Sequence, residues 1–516
     1  MNPSQPNHTH RHAQESAAAE QLYSPAAPVR TAAVKTLVTL ADDWLADEHV
    51  PAEQAGTRVQ GIINTLCEYI RSPYAGTDRY LQLTQEEPDE ALSTREKRQF
   101  YADQAHLIQE GQVRQSILAA IIERVRWVGY VPQRYTYSMS FGTADEETVI
   151  GGPWSGFDYD FSGADFFYPV HLAGAFWGGR VTARNATWRD DVFMETSVFN
   201  GDASFSGGTY LGKTIYVFGC IYRGNLDRSH CTYGAVEGNY HGYTHDFTAA
   251  GSVYRGAADL SNSTYDRGVC SHGNTYYGPA DLSGCTYRGK VNYSKNRYGA
   301  NLTMRGCTYG ASVQIGESAH IGDADYSRSV YEADVSFYGS RYLGNATFAE
   351  SQYRGGVYHA SEQFIGSANF DGVQFGHTAN PQASSSFLGS SVFAGGVSFM
   401  GAHSAGKPPA FDECVFNDAC VNDFGPLPYG EHAVPMSGAL PTASRSLSFK
   451  ESVALSRCLR ARAAFGSYLC TVPFGSPTYQ AAQHQVLFHT WCHFMFDNDL
   501  LNFSALVQAL NNAMKG

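Results

Sequence analysis

One repeat restricts what this chain can fold into more than any other feature. Steps of eleven residues from Tyr243 reach Tyr254, Tyr265, Tyr276, Tyr287, Tyr298, Tyr309, His320, Tyr331, Tyr342, Tyr353, Phe364 and Phe375, so twelve of thirteen positions are Tyr or Phe. The chain has 33 Tyr and 30 Phe in 516 residues, a frequency at which chance would fill one or two of those positions. An earlier block keeps the same step through Phe166, Trp177, Trp188, Phe199 and Tyr210, then slips by one residue into Tyr222 and Tyr233. A repeat of this kind decides the architecture before any local reading does.

A second column follows six residues after the first: Leu260, Leu282, Tyr293, Met304, Ile315, Tyr326, Phe337, Phe348 and Phe370. Each eleven therefore divides into six and five. Two residues before these large side chains the chain places small ones, as in Ala258-Asp259-Leu260 and Ala346-Thr347-Phe348. Small-in, polar-out, large-in is the alternation of a very short strand, three residues long. Such strands cannot bury a face alone, but successive coils can stack and pair edge to edge. A helix is disfavoured, because the 52 glycines are dense here and each would cost a helix about 1 kcal/mol. The expected fold is mainly β, a solenoid of about 22 residues and four strands per coil. Residues 161–424 would then make twelve coils, or a rod of about 58 Å at about 4.8 Å per strand pair. The expected interior comprises Tyr254, Tyr265, Tyr276, Tyr287, Tyr298, Tyr309, Tyr331, Tyr342, Tyr353, Phe364, Phe375, Leu260, Leu282, Phe337, Phe348 and Phe370.

The A-D-L and A-N-F triplets, as in Ala258-Asp259-Leu260 and Ala368-Asn369-Phe370, resemble the pentapeptide-repeat family. That resemblance covers about half the chain and implies a right-handed quadrilateral β-helix. This sequence inserts one residue in every second repeat and uses Tyr where the family favours Leu or Phe. A broader or three-sided right-handed β-helix therefore stays open beside the square one. The phrases LADDW (40–44), IINTLCEYIRSPY (62–74) and EGQVRQSILAAIIERVR (110–126) resemble the N-terminal region of actinobacterial pentapeptide-repeat proteins of unassigned function. Many of those relatives carry membrane-spanning helices before these phrases. No such run is present here, so no membrane anchor is carried over.

The flanks read differently. Residues 1–30 have the composition of a disordered tail. Residues 31–128 form a helical N-terminal domain: Leu37, Leu40, Trp44 and Leu45 share one helical face, and Val59, Ile62, Ile63, Leu66 and Ile70 share another after Pro51. Ser93 and Glu96 make a capping box ahead of Ile108, Val113, Ile117, Leu118, Ile121, Ile122 and Val125, giving three helices. A connecting segment spans 129–157, the solenoid 158–424, a linker 425–446, and a helical C-terminal domain or cap 447–516. In that last part Leu487, Phe488, Trp491, Phe494 and Met495, then Leu500, Leu501, Phe503, Leu506, Val507 and Leu510, keep helical spacing.

Chemistry-bearing motifs are few. His489, Cys492 and His493 stand at i, i+3 and i+4, the spacing of a helical metal site, with His484 nearby. Their apolar neighbours favour a core reading. The tail histidines His8, His10 and His12 read as solvated. Cys220, Cys231, Cys285 and Cys307 each stand two before a column Tyr, the place of a small inward residue, and read as buried free thiols. No nucleophile elbow, phosphate loop, HExxH or paired-carboxylate pattern stands in a supporting context. No catalytic, cofactor-binding or metal residues are assigned.

Charge narrows the partners. The net charge is −13, which argues against a nucleic-acid backbone. With no membrane-length apolar run, no secretory leader pattern and eleven scattered Cys, the expected setting is the cytoplasm. Residues 158–424 hold 25 Asp and Glu against 17 Lys and Arg, with Arg223, Arg255, Arg288 and Arg354 just after column aromatics. The leading expectation is a non-enzymatic scaffold with a protein partner. A DNA-mimicking binder of a type II topoisomerase needs a longer acid ladder than Asp259, Asp281 and Asp325 provide. A carbohydrate-binding or carbohydrate-processing β-helix needs the Tyr column turned outward.

Overall fold

The computed structural model of the chain describes residues 5–126, 150–212, 214–234, 247–376, 386–387, 389–405, 411–424 and 444–446. The chain divides into two units, Met1–His241 and Gly242–Gly516.

The first unit opens with helices. They are α1 Gln5–Gln21, α2 Ala27–Ala46, α3 Ala52–Arg71, the single turn α4 Tyr80–Leu83 after a 3-10 turn, and α5 Thr94–Val125. Residues 5–21, whose composition suggests a disordered tail, are thus helical. The run Ala17–Ala19 favours helix, Ala18 and Leu22 are buried, and Arg11 is paired with Asp47 beyond α2 at 2.7 Å. The α2, α3 and α5 faces bury the apolar residues named above, with two exceptions: Leu45 and Ile108 are exposed. The capping box closes as its spacing requires, with Glu96 N–H donating to Ser93 Oγ at 3.4 Å and Ser93 N–H to Glu96 Oε2 at 2.8 Å. Those bonds hold the Glu96 carboxyl below its ordinary range.

The helices close the end of the first coil. Gln60 of α3 bonds both the carbonyl and the amide of Asp158, at 2.8 and 2.9 Å. Arg71 pairs with Asp160 at 2.9 Å, and Gln115 of α5 donates to the Pro169 carbonyl. Strand edges invite pairing with other chains, and these polar side chains occupy one.

In both units the coils lay two-residue strands into four parallel sheets, or faces. In the first unit the first face pairs Tyr159–Asp160, Val181–Thr182, Ala203–Ser204 and Leu226–Asp227. In the second unit the faces take their residues in the same order: Ala258–Asp259, Thr264–Tyr265, Val269–Cys270 and Thr275–Tyr276 make the first, second, third and fourth. Register partners such as Tyr265↔Tyr287↔Tyr309 follow from coils of about 22 residues. Four faces per coil decide between the four-sided and three-sided readings. The first and fourth faces each hold twelve strands, and the coils amount to about eleven turns. The spacing is not uniform: it widens to 23 residues at Phe199↔Tyr222 and to 29 at Phe364↔Phe393.

A backbone device explains the division of eleven into six and five. One residue in each eleven has positive φ, among them Gly251, Asn262, Gly273, Gly284, Lys295, Gly306, Glu317 and Arg328. It falls three before the column ring and turns the longer corner, and glycine takes that conformation without strain. At the other corner the chain runs closely beside its neighbour. A Cβ at Gly344 would lie 2.2 Å from the Gly322 carbonyl oxygen, so no side chain fits there.

Candidate functional site

Eleven residues is half a coil, so alternate members of the aromatic column land on the second and fourth faces. In the second unit Tyr265, Tyr287, Tyr309, Tyr331 and Tyr353 stack on one, with ring centroids 4.8–5.0 Å apart and planes within 14°. Tyr254, Tyr276, Tyr298, His320, Tyr342 and Phe364 stack on the other at 4.4–5.0 Å. The sheet spacing imposes that interval. All of these rings are buried, as are Phe375, Leu260, Leu282, Phe337, Phe348 and Phe370. The Tyr hydroxyls thus face the interior, where burial raises the pKa of Tyr287, Tyr309 and Tyr353 well above the ordinary phenol range.

The position two before each ring forms a polar ladder inside the wall. Ser329 Oγ donates to the Met304 carbonyl at 3.1 Å and accepts from the Cys307 amide at 3.2 Å. Cys285 and Cys307 Sγ donate to the Leu260 and Leu282 carbonyls at 3.3 and 3.1 Å, and Asn296 Nδ2 donates to the Ser271 carbonyl. These side chains satisfy corner amides and carbonyls that short strands leave over. Both cysteines are free, with Cys220, Cys231 and Cys414. Burial pushes the Cys220 thiol up to about 11, away from nucleophilic character.

One rung is unlike the rest. Glu362 stands where its neighbours in the ladder are Ser340 and Ser391, and its Oε2 lies 2.7 Å from His359 Nδ1, both side chains fully buried. Burial raises the Glu362 pKa well above its ordinary value and lowers that of His359 to about 3, so a neutral carboxyl faces a neutral imidazole. Phe337 stacks on the imidazole at 4.5 Å. Enclosed on all sides, the pair has no path to a substrate, and it reads as core.

The outward positions form columns of their own. Thr264, Thr286, Thr308, Val330, Gln352 and Gln374 share the second face in register. Asp259 and Asp281 are register neighbours on the first face, followed by Thr303 and then Asp325. Acids and bases one coil apart in sequence pair between coils. Arg288 pairs with Asp266, Arg328 with Glu350 at 2.8 Å, Arg354 with Glu332 at 2.6 Å and Lys295 with Glu317 at 3.7 Å. The sequence carries that signal as opposite charges at the coil spacing, which the composition count does not reveal.

In the first unit His171, Phe193 and Tyr216 form an outward aromatic row on the third face. His171 and Phe193 lie parallel at 4.7 Å, with Tyr216 edge-on to Phe193 at 5.8 Å. Parallel stacking covers one face of the His171 ring and one of the Phe193 ring. The helices enclose a cleft of about 580 Å³ bordered by Tyr23, Arg30, Tyr69, Arg79, Glu110 and Arg114. Its polar floor is already paired. Glu110 accepts from Tyr69 Oη at 2.9 Å and Arg114 Nε at 2.8 Å and lies 3.1 Å from Arg30, while Arg114 also donates to the Ile70 and Ser72 carbonyls.

Among the described residues no group of three or more His, Cys, Asp or Glu is placed to hold a metal ion, and no helix is long and apolar enough to cross a membrane. His489, Cys492 and His493 lie outside the described residues, as do the linker up to residue 443 and residues 447–516. Compared with protein-family models, with curated proteins and with solved structures, the chain matches none.

Proposed function

We propose that this chain is a non-enzymatic, cytoplasmic interaction scaffold of the pentapeptide-repeat kind, which holds a protein partner along the outward faces of its coils. The observation that carries the reading is the second-face column from Thr264 to Gln374, where short polar side chains recur in register at every coil but one. Side chains that repeat with the strand spacing offer many equivalent contacts to an extended protein surface, and none of the convergent polar groups that define a small-molecule site. The interior is closed by rings, so recognition belongs to the outside.

The other two readings find less support. Inter-coil ion pairs such as Arg328–Glu350 and Arg354–Glu332 neutralise the acids that a phosphate mimic would have to display. Sugar stacking needs exposed ring faces, and the Tyr columns are buried.

The test is affinity capture by the full chain and by a Thr286→Arg, Thr308→Arg variant, followed by binding measurements on the captured protein. The expected result is one partner whose affinity falls roughly tenfold or more in the variant. Capture of nothing, or of proteins held equally by both chains, overturns the proposal. Supercoiling by a type II topoisomerase should be unchanged at micromolar chain.

A further inference from the structure

The corner between the second and third faces of the second unit carries charge in an ordered way. After each second-face ring the chain turns through three residues before the next strand begins. Over five coils the first of these positions reads Asp266, Arg288, Gly310, Glu332 and Arg354, and the third reads Gly268, Lys290, Ser312, Asp334 and Gly356. Backbone bonds hold successive coils level there: the Val291 amide donates to the Ser312 carbonyl at 3.0 Å and the Val313 amide to the Asp334 carbonyl at 2.9 Å. The pattern reverses its sign about the coil of Gly310. Arg288 and Lys290 stand one coil before it, Glu332 and Asp334 one coil after; Asp266 stands two coils before, Arg354 two after. Every charge in the first and third positions therefore has its opposite at the same distance across Gly310, and Arg267, in the middle position, is the one exception. Arg288, Lys290, Glu332 and Asp334 are all exposed. Asp266 and Glu332 hold Arg288 and Arg354 within the chain, whereas among the described residues Lys290 and Asp334 have no ion pair.

We propose that this corner is a self-association surface, on which a second copy of the chain docks antiparallel about a two-fold axis passing between the two Gly310 residues. A copy turned end over end brings each charge opposite its counterpart, so Lys290 of each copy pairs with Asp334 of the other, and symmetry makes the contact twice. Arg288 of each copy likewise faces Glu332 of the other, which joins the in-chain pairs Asp266–Arg288 and Glu332–Arg354 into one network across both copies. The middle position holds Gly289, Ala311, Ala333 and Gly355, small enough to let the two backbones approach. Matched charge of this kind sets register and orientation more than affinity. Four coil intervals of about 4.8 Å make the patch about 19 Å long, an extent that belongs with the weak contacts below about 1,200 Å². The corner lies beside the Thr column and not on it, so the inference goes beyond the scaffold reading and holds without it.

The test is sedimentation velocity of the full chain at low salt, from low to high micromolar concentration. The parent chain should pass from one copy to two as concentration rises, and the association should weaken as added salt screens the pairs. Lys290→Asp alone and Asp334→Lys alone each set like charges against one another, and each should weaken the association roughly tenfold or more. An equal mixture of the two variants should associate as the parent does, because each then offers the charge that the other lacks. Recovery in the mixture also shows both variants to be folded, although Asp334→Lys loses the bond that Asp334 Oδ1 accepts from the Gly356 amide at 2.8 Å. A parent chain that stays single throughout, a variant that associates like the parent, a mixture no better than its components, or growth past two copies overturns the proposal.

Discussion

The helices of the first unit and the coils of the second solve the same problem by opposite means. In the helices one network, Glu110 with Arg114, Arg30 and Tyr69, is built once from residues far apart in sequence. In the coils every ring, ladder serine and corner recurs one coil later in the same surroundings. A unique network concentrates risk, since losing one member strands the others. A repeated one spreads it, since each coil contacts only its neighbours.

The largest expected effect tests the unique network. Glu110→Ala leaves Arg114, 1% exposed, beside Arg30 with their shared carboxylate gone. Breaking a buried pair in this way costs about 3–5 kcal/mol. Hydrogen exchange should quicken through α3 and α5 while the coils of the second unit keep their protection. A general loss of protection would mean that the two regions are not energetically separate.

The next test concerns the coils. Gly344→Val drives a side chain into the Gly322 carbonyl, 2.2 Å from the Cβ position, and overpacking of this kind costs about 3 kcal/mol. Exchange should quicken over the adjoining coils, near residues 320–366, and fade with distance. Uniform quickening would contradict the nearest-neighbour picture.

Acidity separates a third pair of outcomes. His320 sits among Tyr and Phe in its stack, and burial lowers its pKa from 6.5 to about 3. Folding therefore favours the neutral ring, and that stability, intact above pH 6.5, is lost as pH falls towards 3. At pH 5 the loss is about 2 kcal/mol by linkage. His320→Phe should be more acid-resistant by about that amount in thermal melts at pH 5, with a smaller difference at pH 8. Glu362 runs the other way. Its folded pKa is raised well above 4.5, so its contribution is complete below pH 4.5 and fades as pH rises. Glu362→Gln should gain on the parent chain as pH climbs from 4.5, and a constant difference would refute the neutral carboxyl.

The smallest effect is at a corner. Gly306 has φ of 69°, and a methyl group placed there would meet nothing within 4 Å, so Gly306→Ala should cost only backbone strain, about 1 kcal/mol. Denaturant midpoints measure it, and a cost like that of Gly344→Val would show that the corner is crowded after all.

The legibility of the two regions differs for the same reason. The inward columns from Tyr254 to Phe375 could be read directly, because stacking coils repeats one environment and the sequence repeats with it. The positive-φ residue went unread, since Asn, Lys, Glu, Arg and other side chains take that place nearly as often as Gly. Ion pairs such as Arg354–Glu332 were hidden in a count of charges until the coil brought them into contact. In the helices the periodicity located α2, α3 and α5, but not α1, whose stability comes from Arg11–Asp47 and the burial of Ala18 and Leu22 rather than from its own pattern.

The amino-acid sequence by itself determined that the middle of the chain winds into stacked coils of short strands with aromatic interiors, because a period of eleven with alternating small and large residues has few other ways to bury its rings. The number of faces, the partner of each charge and the isolation of Glu362 with His359 were decided only in three dimensions. Those depend on which residues a coil brings level with one another, and one added residue at a corner changes that for every coil after it.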